Sequence, residues 1–183
     1  MNQKSDVGLM LKIMTLGYVL NFVFGLVGSF FEPESFWQMT LWQCSDSLAI
    51  MASVLASRYV GSKGSNIVAG GFSLLAISFG VSFASSSTNA INEEKMATII
   101  LPLVPAMLLV GLGTFFPKWL RFATLLIVVP FYFMYQNVLQ GTYHFENISN
   151  VLAYSGIQIL GIAWSVLIWR DYRKSSQSLF NTY

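Results

Sequence analysis

Gln43-Cys44-Ser45-Asp46-Ser47 places five polar or weakly polar residues in the middle of an otherwise apolar stretch, residues 36–57. On a soluble helix Asp46 would need no comment. At the centre of a lipid-spanning helix a carboxylate costs about 3 kcal/mol and persists where it has a partner or a task. The rest of the chain decides between these settings. Hydrophobic residues make up 55% and charged residues 10%, with a mean hydropathy of +0.60, whereas a soluble domain carries about 25% charged residues. The run around Asp46 is therefore read as the polar centre of a transmembrane helix.

A span takes about 20 residues, and a chain of 183 residues holds six with short connections. The apolar runs fall at about 8–31, 36–57, 65–85, 96–116, 119–139 and 148–169. The fold class is thus all-α, a polytopic membrane protein with six transmembrane helices in one integral domain, 1–183. The first run is too long for a cleaved leader and ends in Ser29-Phe30-Phe31-Glu32-Pro33, so it reads as a retained helix. The third, rich in glycine and serine, is expected to face protein. Pro102 and Pro105 stand near the start of the fourth. Pro130, near the centre of the fifth, removes one hydrogen bond and is expected to kink it. A polar loop, 86–95, divides halves of about 1–86 and 96–174, and a basic tail follows from 170 to 183.

Charge predicts the orientation. With the amino terminus inside, the inner face receives nine of the ten basic residues: Lys4, Lys12, Arg58, Lys63, Lys118, Arg121, Arg170, Arg173 and Lys174. Only Lys95 falls outside, with Glu32, Glu34, Glu93, Glu94 and Glu146. Cytoplasmic loops collect lysine and arginine, so both termini are expected in the cytoplasm, in a plasma or inner membrane. Trp37 and Trp42 toward the outer side, and Trp119 and Trp169 toward the inner, suit interfacial anchoring. The basic residues form no stripe that would grip a nucleic acid.

Two short words repeat between the halves. Gly28-Ser29-Phe30-Phe31 aligns with Gly113-Thr114-Phe115-Phe116, and Ser65-Asn66-Ile67-Val68-Ala69 with Ser149-Asn150-Val151-Leu152-Ala153, at offsets of 85 and 84. Halves of three spans each would be inverted relative to one another, a plan common among transporters. Apolar words also match by chance in any membrane protein, so both explanations stand.

At a rise of about 1.5 Å per residue, the centre of a bilayer core about 30 Å thick lies near the tenth residue of a span. By that ruler Asp46, Asn21, Ser78 and Gln158, from four different helices, share one depth. Gln43, Asp46, Ser53 and Ser57 fall on one face of the second helix, and Tyr154, Gln158, Gly161 and Ser165 on one face of the sixth. Gly17, Asn21, Gly25 and Ser29 make a small-residue row on the first, and Ala76, Gly80 and Ala84 on the third. Such rows let helices approach closely. The expectation is a packed interior with a narrow polar seam of Asp46, Gln43, Asn21, Ser53, Ser78, Tyr154 and Gln158.

In one reading the seam is a substrate or ion pathway, with Asp46 as proton carrier, cation ligand or gate. In the other, Asp46 is capped by serine, Asn21 or Gln158 and binds helices together, at about 1 kcal/mol per hydrogen bond. An acid is a costly choice for the second task, where asparagine or serine would serve. A transporter or channel for a small solute or ion is therefore expected. The alternatives are a non-transporting membrane subunit or scaffold, or the substrate-capturing subunit of a larger transport complex. Partners follow: the lipid bilayer, then either further copies of the chain or a different membrane subunit.

Other residues carry less. Cys44 is the single cysteine and forms no internal disulfide or paired metal site. His144, the one histidine, lies in an outer loop and supplies no paired ligation. Asn147-Ile148-Ser149 matches a glycosylation sequon pressed against a membrane entry. Tyr132, Tyr135, Gln136 and Asn137 could line an outer vestibule or simply anchor the interface. No phosphate-binding loop, HExxH, GxSxG or second intramembrane aspartate is present, and the sixth span has no lysine for a Schiff base. No enzyme, cofactor or metal is expected.

In length and span number the chain resembles the acetate uptake transporters and the small urea and amide channels, which form rings of six-helix protomers. Residues 52–72 are similar to the second-to-third helix junction of the former. The amino-terminal Asn-Pro-Ala-Pro-Leu-Gly motif of that family is absent, and the chain has Ser5-Asp6-Val7-Gly8-Leu9 instead. The resemblance is one of size and topology, and no residue role is taken from it.

Overall fold

The computed structural model describes residues 3–32, 35–86, 93–144 and 147–178. They fold into six helices: α1 (Gln3–Gly28), α2 (Phe36–Ser62), α3 (Asn66–Ser86), α4 (Glu93–Leu112), α5 (Lys118–Leu139) and α6 (Ile148–Ser178). No strand occurs among the described residues. Five segments are long and apolar enough to cross a membrane: Asp6–Gly28, Asn66–Ser86, Lys95–Leu112, Lys118–Leu139 and Ile148–Ser175. α2, at 27 residues, has the length. Its polar run around Asp46, with Arg58 near its end, keeps it out of that set.

Each helix packs against the next, and α6 closes the ring against α1. Short connections make successive helices antiparallel. Small residues set the spacing. A Cβ on Gly17 would meet that of Ala52 at 3.1 Å, and one on Gly71 would meet Val110 Cγ2 at 2.7 Å and the Ala106 carbonyl at 3.0 Å. Gly8 faces Tyr172, Gly161 faces Tyr18, and Gly156 faces Ile127. The α2–α3 turn uses Gly64 at φ 80, a conformation glycine adopts without a Cβ clash. α2 begins at Ser35, whose hydroxyl accepts the Gln38 N–H at 3.3 Å.

Large side chains fill the ring. Phe72 meets Trp164 edge-on at 5.3 Å and Phe116 at 6.1 Å, and the Trp164 indole N–H donates to Thr124 Oγ1 at 3.3 Å. Phe131, Met134, Leu75, Met107 and Ile168 are fully buried around them. α3 divides its surface: Val68, Phe72 and Leu75 are buried, while Ile67, Ile77 and Phe83 point outward. It therefore faces protein on one side only.

Several helix ends depart from the sequence reading, among them that of α2, which runs on to Ser62. α4 starts at Glu93 and ends at Leu112, because Gly113 to Phe116 leave the helix before Pro117. α1 begins at Gln3. The basic tail is helical as far as Ser178, so α6 has 31 residues, about 46 Å at the usual rise. No glycine or proline follows Gly161 in it, and its last turns are anchored by Asp171, which accepts from Tyr59 Oη at 2.8 Å and pairs with Lys63 Nζ at 3.6 Å. α5 continues through Pro130, and α4 through Pro102 and Pro105.

The ring has one basic end, bearing the start of α1, the end of α6, Arg58, Lys63, Lys118, Arg121, Arg170, Arg173 and Lys174. Arg121 caps α4 there, donating to the Gly111 and Leu112 carbonyls at 3.1 and 2.9 Å. The far end carries Glu32 and Lys95; Glu34 and Glu146 lie outside the described residues.

Candidate functional site

Asp46 stands three residues before Ala49 and seven before Ser53, both buried, so helical spacing turns it toward the ring interior. It is partly buried. Ser82 of α3 and the Tyr154 hydroxyl of α6 both lie close enough to its carboxylate to interact with it. Among the described residues no lysine or arginine pairs with it.

Tyr154 is the hub of this cluster. Its hydroxyl donates to Met96 Sδ of α4 at 3.3 Å, and its ring meets Phe131 of α5 edge-on at 6.1 Å. Tyr143, from the α5–α6 connection, is within electrostatic reach of Tyr154. It is 8% exposed, and burial pushes its phenol above the ordinary tyrosine range. That connection is well fastened: Asn150 Nδ2 donates to the His144 carbonyl at 2.8 Å, and the Thr142 N–H to the Asn137 carbonyl at 2.9 Å.

The other predicted seam residues have different occupations. Asn21 and Ser45 bond each other across α1 and α2. Ser53 shares a hydrogen bond of 3.2 Å with Tyr18 Oη. Ser78 is buried and donates to Leu74 of its own helix at 2.8 Å. The Gln158 amide lies over Gly25. Gln43 is partly buried. Asp46 and Tyr154 are thus brought together, Gln158 borders α1 one turn along α6, and Asn21, Ser53 and Ser78 are engaged in packing.

Ser82 and Tyr154 lie toward the far end of the ring, and Asp46 lies nearer the middle of α2. Ser82 is about 6 Å from the end of α3, Tyr154 about 9 Å into α6 and Asp46 about 15 Å into α2. Trp164 is about 15 Å further along α6 toward the basic end. The aromatic group of Phe72, Phe116 and Trp164 lies nearer the basic end.

Ser82 escaped the sequence reading although it follows Ser78 by one helical turn, a spacing that could have found it. Met96, Phe131 and Tyr143 gave no such signal, because an apolar residue or a loop tyrosine looks alike in a lining and in a core. Among the described residues no three His, Cys, Asp or Glu side chains gather to hold a metal ion. No family model, curated protein or solved structure matches this chain.

Proposed function

We propose that the chain is a six-span membrane transport protein that takes a small solute or ion at Asp46. On this reading α2 crosses the bilayer with the other five. It runs beside α1 and α3 over its whole length, from Trp42 against Gly28 to Gly61 against Ala69. The basic end is cytoplasmic, with both termini, and the far end faces outward, in a plasma or inner membrane. The matched words also occupy equivalent places. Gly28–Phe31 and Gly113–Phe116 leave α1 and α4, while residues 65–69 and 149–153 open α3 and α6. Two inverted three-helix halves fit that placement.

The observation that carries the proposal is Asp46 itself: a carboxyl on a helix of the apolar ring, near a serine and a tyrosine, with no lysine or arginine paired to it among the described residues. Such a group is costly where it has no task. On this reading the edge-on contact of Phe72 with Trp164, nearer the basic end, stands in the way of passage, and these side chains have to move. Flux of candidate solutes into proteoliposomes, compared between wild type and Asp46→Asn, tests the reading. Equal flux in both would remove Asp46 from the pathway.

The second reading, a non-transporting subunit or scaffold, is favoured by the use of Asn21, Ser45, Ser53, Ser57 and Ser73 in bonds between helices. A stable complex with a different membrane protein, without flux from the chain alone, would select it.

A further inference from the structure

We infer that the outward face of the α6 extension, carrying Arg170, Arg173 and Lys174, binds the headgroup of an anionic phospholipid. The inference requires that the helices cross a bilayer and is independent of the solute site at Asp46. α6 has 31 residues, about 46 Å at the usual rise, whereas a hydrocarbon core is about 30 Å thick. A helix that enters the core near Ile148 leaves it about 20 residues later, close to Trp169. The turns beyond Trp169 therefore stand at headgroup depth.

This extension has two faces, and its neighbours decide which is which. Asp171 accepts from Tyr59 Oη at 2.8 Å and pairs with Lys63 Nζ at 3.6 Å, and the same ammonium donates to Ser175 Oγ at 2.8 Å. Tyr172 packs on α1, where its hydroxyl oxygen would lie 3.2 Å from a Cβ on Gly8. Asp171, Tyr172 and Ser175 follow the buried Ile168 at helical spacing and hold that side against the ring. The one acid of the extension is thereby committed to α2. On the other side Arg170, Arg173 and Lys174 are exposed, and among the described residues no carboxylate pairs with them.

Toward the core the same outward face is apolar. Ile159 and Val166, 56% and 47% exposed, precede Arg170 and Arg173 at steps of seven, four and three. Trp169 stands at the change, with the Arg173 guanidinium carbon 5.5 Å from its ring centre. Stacking of this kind restrains the guanidinium and leaves its N–H edge for phosphate oxygens. An apolar track ending in an aromatic ring and two guanidinium groups matches a molecule with acyl chains and a phosphate in that order. A soluble anion would use the charges and leave the track empty. A zwitterionic headgroup brings its own cation, which offsets the attraction, so the fit is to a lipid of net negative charge.

Native mass spectrometry of the purified full chain tests this, with micelles doped with phosphatidylglycerol or phosphatidylcholine of equal acyl chains and with inorganic phosphate as the soluble anion. The expected result is a preference of about tenfold or more for phosphatidylglycerol. Arg170→Gln and Arg173→Gln should each weaken its binding about fivefold, and the double variant about twentyfold or more, with phosphatidylcholine unchanged. Arg58→Gln, which removes an exposed charge of the basic end on α2, should bind as wild type. Elution and melting in undoped detergent are checked for every variant, and the single variants carry the test if the double one fails to fold. Equal binding of the two lipids overturns the inference, as does a preference that survives both arginine changes or falls as far in Arg58→Gln. Displacement of the lipid by inorganic phosphate would mark a soluble-anion site and also overturn it. Flux is not read in this experiment, so failure here leaves the Asp46 proposal standing, and loss of flux in proteoliposomes leaves the lipid site standing.

Discussion

Asn21 and Ser45 hold one another reciprocally across the α1–α2 interface. The Asn21 amide donates to the Ser45 hydroxyl at 2.8 Å and to its carbonyl at 3.0 Å, and the Ser45 hydroxyl donates to the Asn21 carbonyl at 2.8 Å. Both residues are almost fully buried. The contact fixes the helix beside Asp46, one residue further along α2. Either Asn21→Ala or Ser45→Ala strands a buried group and is expected to cost about 1–2 kcal/mol. The double variant should cost little more than the worse single one, because either change dismantles the same contact. Thermal melting of the four proteins in detergent checks this, and additive losses would contradict it.

Two neighbouring glycines of α3 separate packing from propensity. At Gly71 an added Cβ meets backbone of α4, the Ala106 carbonyl and the Val110 nitrogen both at 3.0 Å, and backbone cannot turn aside as a side chain can. Gly71→Ala should cost about 1–3 kcal/mol through overpacking. Gly70 has nothing within 4 Å, so Gly70→Ala should be neutral or stabilise by up to about 1 kcal/mol. Melting temperatures moving together would show that α3 and α4 are not this close.

At the basic end, Asp171 of α6 serves two residues of α2. The Tyr59 hydroxyl bonds it at 2.8 Å, and the Lys63 ammonium lies at 3.6 Å with both partners of the ion pair substantially exposed. A screened pair of that kind contributes about 0–1 kcal/mol, whereas a hydrogen bond to a charged acceptor contributes about 1.5–3 kcal/mol. Tyr59→Phe should therefore destabilise more than Lys63→Met. Only the Lys63 effect should shrink between low and high salt. The same melting assay at two ionic strengths decides it.

Burial raises the Tyr143 phenol above its ordinary value of 10.0. A raised folded value means that the contribution is complete below the unfolded value and is lost as pH rises through the folded one. In an alkaline ultraviolet titration Tyr143 should stay protonated near about pH 10, where free tyrosine is half ionised. Tyr143→Phe should therefore leave the tyrosinate absorbance at that pH unchanged. A drop by the share of one tyrosine would place the phenol in water and open the far end of the cluster.

The six helical runs were legible because apolar stretches of helical length and short polar breaks are written in one dimension: 118–139 and 148 onward agree with 119–139 and 148–169 almost to the residue. The tail was not, since Arg170 to Ser178 lacks the apolar run that marks a span, and its helix rests on contacts to Tyr59, Lys63 and Gly8.

Sequence alone determined that Asp46 is an acid on an otherwise apolar helix and that serine, asparagine and glutamine recur at helical spacing. Which of them would be consumed by packing was decided by tertiary structure. Asn21 and Ser53 have the same polarity and nearly the same spacing as Asp46. They were drawn into bonds with Ser45 and Tyr18, while the carboxyl was set opposite Ser82, Tyr154 and the rings behind it. Helical period gives the direction of a side chain about its own axis. Its partners depend on how far neighbouring helices slide and turn against each other, and that is set by interlocking volumes such as Gly25 under Gln158 and Gly161 under Tyr18.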